Sequence, residues 1–222
     1  MIKLLDHGSI ELVETWGSEE RIIEAARMST GGSFRGWDKD EKLLRYLYKN
    51  KHMTPFEMAG AVFEVKAPIF VLREWMRHRS SSFNEMSARY VEIPDETYLP
   101  TIERCLIVGD TNKQAMGEKE HISEEATAIW LEQLEALYRQ AAEVYSSGLA
   151  IGIPRELARL AMTVGRYSKM RVQCNLRNWL HFIGLRSASN AQYEIKVYSD
   201  EIDKILDGIF PRTMALFREF GE

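Results

Sequence analysis

No stretch of this chain is apolar for anything near the roughly 20 residues that a membrane-spanning helix needs. The opening Met1-Ile2-Lys3-Leu4-Leu5-Asp6-His7 also lacks the long hydrophobic segment of an export signal. The expectation is therefore a cytoplasmic protein. Cysteine is scarce too: Cys105 and Cys174 have no paired spacing with each other or with histidines, which argues against a disulfide framework and against a zinc site. Glycine-rich phosphate loops are missing, since no Gly-x-Gly-x-x-Gly follows a strand pattern and no Gly-Lys-Ser/Thr occurs. Any phosphate must then be held by side chains. There is no basic excess either. A net charge of -4 excludes a general nucleic-acid binder, which needs a broad cationic surface.

What is present is an ordinary globular composition. With 222 residues, 45% hydrophobic and 28% charged, the chain can bury a sizeable core without help. Its charge is unevenly spread. Between Arg155 and Arg186 six arginines and one lysine face the single acid Glu156, while Glu118 to Glu143 is acidic. Guanidinium groups suit bidentate contacts with phosphates and heterocycles; pairing with the acidic helix is an equally good reading of that stretch alone. The densest polar run is Arg77-His78-Arg79-Ser80-Ser81-Ser82-Phe83-Asn84-Glu85-Met86-Ser87-Ala88-Arg89-Tyr90, which gathers three guanidiniums, an imidazole, a carboxylate, an amide and several hydroxyls. A surface loop has no structural need for that many functional groups.

Periodicity gives the frame. Ile2 to Trp16 reads as a hairpin around His7-Gly8-Ser9, and helices start at Ser18 and at Asp38, with a loop at Gly31-Gly32-Ser33 between them. After Pro55, Ala61 to Lys66 alternates as a strand, and Pro68 opens a helix through Arg77. If Ser81 to Val91 is extended, Phe83, Glu85, Ser87 and Arg89 share a face. Asp95 to Gly117 looks irregular. A long helix from Ser123 to about Tyr145 should bury Trp130, Leu134, Leu137, Tyr138, Ala141 and Val144. Arg155 to Met162 reads as a helix, Arg171 to Asn175 as a strand, and Asn175 as the cap of a helix over Leu176 to Leu185. Ser189 with Gln192 suggests a capping box for a helix to about Leu206, and Pro211 opens a last one. The expected fold is α+β: one helix-rich domain over residues 1–222, built around a small, mostly antiparallel sheet.

The polar groups limit the chemistry. Glu74 and His78 stand one helical turn apart, but with no third ligand and arginines nearby they do not suit a metal, and none is expected. Ser87 as a nucleophile would need a base, and guanidiniums accept no proton, so a phosphate or backbone contact is the better reading. His78, between two arginines, should stay neutral. His52, before Thr54-Pro55, is as well explained by a turn cap as by a site.

Arg77-His78-Arg79, seven residues and then Ser87 resembles the signature of the flavin-dependent thymidylate synthases. The resemblance extends through Ala26-Arg27-Met28-Ser29, His52-Met53-Thr54-Pro55-Phe56-Glu57, Ala67-Pro68-Ile69-Phe70-Val71, Ile153-Pro154-Arg155-Glu156-Leu157-Ala158-Arg159 and Asn175-Leu176-Arg177, on to Leu185-Arg186, in order over about residues 20 to 200. It implies reductive methylation of dUMP to dTMP, with methylenetetrahydrofolate as carbon donor, NADPH reducing a bound FAD, and a homotetramer with shared active sites. The dUMP site would take Glu74, Trp75, Met76, Arg77, Glu85, Met86, Ser87, Ala88, Arg89, Arg159 and Arg186, with Arg186 catalytic beside the uracil. FAD would meet Ser29, His52, Thr54, Glu57, Arg77, His78, Arg79, Asn175, Leu176, Arg177 and His181. Glu74, His181 and Asn190 depart from the family pattern, which commonly has glutamine, asparagine and histidine there. Two other readings remain: a flavoprotein acting on another pyrimidine nucleotide, and a non-enzymatic nucleotide- or RNA-binding module.

Overall fold

The computed structural model describes residues 1–107 and 122–221. Five antiparallel strands form one sheet in the order β1-β2-β3-β5-β4: β1 (Ile2–Leu4), β2 (Gly8–Trp16), β3 (Gly60–Pro68), β4 (Ser82–Glu85) and β5 (Tyr167–Asn175). The opening hairpin forms, with its turn at residues 5–7, two positions before the expected His7-Gly8-Ser9. Alternation decides which face each strand buries. Phe63 pairs with Val172 and Val65 with Met170, and all four face the core. Their neighbours Glu64 and Arg171, also cross-strand partners, point to the other face and form an ion pair at 2.8 Å. The sheet therefore carries helices on one side and a polar surface on the other.

Nine helices among the described residues supply the second layer: α1 (Glu19–Arg27), α2 (Trp37–Lys49), α3 (Ile69–Trp75), α4 (Ile102–Leu106), α5 (Glu124–Ala150), α6 (Arg155–Ala158), α7 (Leu176–Arg186), α8 (Tyr193–Ile209) and α9 (Pro211–Phe220). Ile22 and Ile23, Leu44 and Leu47, Trp179, Leu180, Phe182 and Ile183, Ile195, Tyr198, Ile202, Leu206 and Met214 interlock over the sheet. Starts are set by side-chain caps: Ser18 Oγ accepts from Arg21 N at 3.3 Å, Ser123 Oγ from Ala126 N at 3.1 Å, and Asn175 Oδ1 from Asn178 N at 3.0 Å. Among the described residues no helix is long and apolar enough to cross a membrane.

Several expectations are corrected. The Ser189–Gln192 box does not form, because Gln192 is itself the cap residue and its amide donates to Glu194 Oε2 at 2.9 Å. Helix α3 stops at Trp75, and the Arg155 to Met162 helix divides into α6 and a 3-10 turn at Arg159–Ala161. Strand β4 ends at Glu85. Met86 N donates to Lys169 O at 2.8 Å, and then Ser87 O accepts from Tyr90 N and Val91 N at 3.0 and 3.2 Å, so the chain turns and Ser87 and Arg89 leave the strand face. The irregular Asp95 to Gly117 contains α4; its part beyond 107, like Glu118 to His121, lies outside the described residues. The face of α5 expected to be buried is largely open, with Trp130, Leu137 and Val144 50%, 52% and 55% exposed.

Helix α4 is tied to α8 by a buried carboxylate. Glu194 accepts from Tyr98 Oη at 3.0 Å and from Arg104 Nε and Nη2 at 2.8 and 3.2 Å. Burial alone would raise this carboxyl, but the Arg104 contacts hold it below its usual value. Arg104→Ala strands the charge, and a loss of about 3 kcal/mol or more is expected; Arg104→Ala with Glu194→Gln should recover much of that loss in urea unfolding.

Candidate active site

The signature run begins where α3 ends. Arg77 N donates to Glu74 O at 3.1 Å, His78 N to Trp75 O at 2.9 Å and Ser81 N to His78 O at 3.1 Å, so residues 76–81 make consecutive turns into β4. Met76, Arg77 and Arg79 are exposed there, while Trp75 lies in the core, stacked on Phe182 of α7 with ring centroids 4.8 Å apart. Helix α7 crosses at this point. Its buried stripe, Leu176, Trp179, Leu180 and Ile183, packs into the core, leaving Arg177 and His181 exposed on its outer side and Arg186 half-buried at its C-terminal end, in line with Trp179 and Phe182.

At the meeting of α3 and α7, Arg186 Nη1 donates to Glu74 Oε2 at 2.9 Å, Nη2 to Glu74 O at 3.3 Å and Nε to His78 Nε2 at 2.9 Å. The His78 ring lies edge-on to Phe182 at 4.8 Å and to His181 at 6.2 Å. His181 opens onto a cleft of about 490 Å³, lined also by Tyr48, Lys51, Met53, Ser80, Arg177 and Asn178. Arg177 reaches out of α7 to Glu57 Oε1 at 2.5 Å, and Glu57 belongs to the 3-10 turn that Pro55 starts.

A second cleft, of about 410 Å³, holds the other half of the signature. Glu85, Met86, Ser87 and Ala88 line it with Arg159, Ile69, Ile93 and Met162 to Val164. Ser87 Oγ accepts from Arg89 N at 3.3 Å, a turn contact, and among the described residues no imidazole or carboxylate is bonded to it. Arg89 leans on Glu156 at 3.3 Å, while Arg159 gives Nε to Glu156 O at 3.3 Å and has its other donors free for a ligand among the described residues. Thr163, which no sequence motif marks, lines this cleft and has a buried hydroxyl without a partner among the described residues. Its only sequence signal is position, four residues after Arg159.

Of the expected site residues, Glu85, Met86, Ser87, Ala88 and Arg159 line the smaller cleft and Arg177 and His181 the larger, while Glu74, His78 and Arg186 form a third group that lines neither. Ser29, His52 and Thr54 line neither cleft: Ser29 Oγ donates to Ala26 O at 3.0 Å, the His52 ring packs edge-on to Tyr46 at 5.7 Å, and Thr54 is an exposed start of the 3-10 turn. Asn175 is occupied as the α7 cap, and Leu176 is a core residue. Asn190 is exposed in the turn before α8.

This arrangement has counterparts. The model of the family described as thymidylate synthase complementing protein matches residues 11–212. The chain belongs to that family. Among relatives named flavin-dependent thymidylate synthase, the protein from Thermosipho melanesiensis is 39% identical over 219 residues, covering 99% of this chain and 94% of its own. That from Ehrlichia ruminantium is 37% identical over 218 residues, 98% of this chain and 73% of its own. A solved UMP/dUMP methylase, PolB from Streptomyces cacaoi with 5-Br dUMP bound, superposes with a TM-score of 0.86 at 33% identity, over 99% of this chain and 98% of that one.

Within this thymidylate synthase complementing protein fold, the electrostatics favour cation-assisted chemistry without a covalent nucleophile. Burial pushes the Cys174 thiol up to about 11 and raises that of Cys105, so neither is a ready thiolate. Among the described residues no group of His, Cys, Asp and Glu gathers that would hold a metal ion. Burial first, then the Arg186 and His181 charges, push the His78 imidazole down to about 4. It accepts from Arg186 through Nε2, so its single proton sits on Nδ1. Because His78 is neutral when folded and takes a proton near 6.5 when unfolded, it favours the folded state above pH 6.5, and that contribution fades as pH falls toward 4. In a histidine NMR titration His78 should hold a constant shift from pH 8 to pH 5; an inflection near 6.5 would contradict the arrangement.

Proposed function

We propose that this chain, acting in the cytoplasm as one domain over residues 1–222, methylates dUMP reductively to dTMP, with 5,10-methylenetetrahydrofolate as carbon donor and NADPH as reductant through FAD. The observation that carries this reading is the fixed Arg186 guanidinium, set beside a neutral His78 in a chain whose full length aligns with flavin-dependent thymidylate synthases. A guanidinium at the pyrimidine edge stabilises negative charge developing on N3 and the carbonyl oxygens, which eases addition at the ring. Arg159, Arg89 and the Ser87 hydroxyl would grip the 5′-phosphate from the smaller cleft. The larger cleft suits FAD: Lys51 and Arg177 offer cations for a pyrophosphate, with His181 and Tyr48 beside them. Thr54, Arg77, His78, Arg79 and Asn175 complete the proposed flavin surroundings. Flavin held by these residues would supply the hydride equivalent of the reductive methylation, with the C5 proton of the ring lost to solvent.

Two observations support shared sites in a homotetramer. Glu85, Met86, Ser87, Ala88 and Arg159 line the smaller cleft whereas Glu74 and Arg186 pair outside it, a division that fits sites completed by a neighbouring copy. In addition, Trp130, Leu137, Val144 and Ile151 repeat every seven residues along α5 and its end, each at least half exposed, and an apolar stripe of that length marks an interface. Leu137→Glu is expected to shift sedimentation from tetramer toward smaller species and to lose activity with it.

The deciding experiment is tritium release from 5-labelled dUMP. Release that needs both the folate and NADPH, from protein that stays yellow through desalting, is the expected result; no release with dUMP bound would overturn it. Labelled UMP belongs in the same experiment, because the superposed PolB is described as a methylase of both nucleotides. Release from UMP alone would favour the other-nucleotide reading.

A further inference from the structure

We infer that Glu74 is the positioning residue for Arg186, setting both the orientation of its guanidinium and the charge it presents to the nucleotide. The inference rests on the reading of Arg186 as the uracil-side cation. Arginine is a long side chain with about 2 kcal/mol of rotamer entropy, and Arg186 leaves α7 at its last residue, where no following turn restrains it. What restrains it lies 112 residues away: Glu74 takes Nη1 on its carboxylate and Nη2 on its own backbone carbonyl, and His78, one turn further on, takes Nε. A guanidinium has five N–H donors. Three are engaged here, which leaves one on each Nη for a ligand. The remaining pair suits a planar edge with adjacent acceptors, such as a carbonyl oxygen of uracil and its N3 once the N3 proton is lost.

Glu74 has a second consequence. His78 is neutral, so the Glu74 carboxylate is the counter-charge of Arg186. The pair is only partly shielded, with side-chain exposures of 21% for Arg186 and 33% for Glu74, so an anionic nucleotide approaching the guanidinium meets a carboxylate beside it. Position and charge are separable by substitution. Glu74→Gln keeps an oxygen acceptor for Nη1 and removes the charge. Glu74→Ala removes both, leaving only the backbone carbonyl and His78.

The test is steady-state kinetics with dUMP on the flavin-loaded enzyme, alongside FAD content and thermal midpoint. Glu74→Gln should lower KM for dUMP several-fold, and its kcat should exceed that of Glu74→Ala on the order of tenfold, as loss of one charge-assisted hydrogen bond predicts. Equal kcat in the two variants, or a KM that Glu74→Gln does not lower, overturns the inference. A purely structural role would lower the thermal midpoint in both without this split. Should Glu74→Ala fail to fold, the KM of Glu74→Gln decides alone. Arg186→Ala separates the inference from the reading beneath it: an inactive Arg186→Ala with indistinguishable Glu74 variants removes only the inference, whereas an active Arg186→Ala removes the reading of Arg186.

Discussion

Replacing Arg186 with alanine is expected to lower turnover about 100- to 1000-fold, the loss typical when a preorganised donor to a developing anion is removed. Two further changes follow from the geometry. Glu74 loses its partner and stands as an unpaired carboxylate beside the nucleotide, so dUMP binding should weaken as well. His78 loses the second largest cause of its depressed pKa, after burial, so its titration should move up from about 4. FAD retention should be little changed, because Arg177, His181 and Lys51 line the larger cleft and Arg186 does not. Flavin absorbance after desalting, a dUMP titration and stopped-time tritium release measure the three effects separately. Arg186→Lys restores the charge but not a fork able to meet three acceptors, and it should recover only part of the rate. Retention of wild-type turnover by Arg186→Ala would place the activating group elsewhere.

Phe182→Ala is expected to be the most damaging change to stability near the site. The ring is 2% exposed, stacks on Trp75 at 4.8 Å, meets Trp179 at 5.7 Å and meets His78 edge-on at 4.8 Å. Truncating a buried phenylalanine costs about 3–5 kcal/mol through lost transfer energy and the cavity left behind, which for a domain of this size lowers the thermal midpoint by about 10 °C. The function should suffer through His78: burial is the main cause of its low pKa, so a loosened ring would titrate closer to 6.5 and, once protonated, could no longer accept from Arg186. A midpoint shift under about 3 °C would mean the aromatic stack is not the support described here.

Local signals in the sequence carried the elements well and their partners poorly. Asn175 before Leu176, Ser18 before Glu19 and Ser123 before Glu124 each announced a helix, because a cap is an interaction over three residues. The alternation of Ala61 to Lys66 gave the central strand for a similarly local reason. Ser81 to Val91 failed as one extended run because β4 is an edge strand: only β5 holds it, and beyond Lys169 nothing competes with the turn at Ser87. On α5 the apolar period predicted that a face would be covered without saying by what, and within one chain that face is open. The clustered arginines were legible as cations but not as a circuit. The pairing of Arg186 with Glu74 spans 112 residues and depends on how α7 crosses α3, which no local pattern encodes.

Helix α7 has the same eleven residues serving the core on one side and Arg177 and His181 on the other, with Arg186 prolonging the line of Trp179 and Phe182 at its end. An α-helix advances about 1.5 Å and turns about 100° per residue. Inserting or deleting one residue between Trp179 and Phe182 would therefore swing the guanidinium away from Glu74 and, in the same step, rotate Phe182 and Ile183 out of the core. Length changes in this helix cannot be absorbed one function at a time. Chains that descend from this one should keep the residue count from Trp179 to Arg186 unchanged.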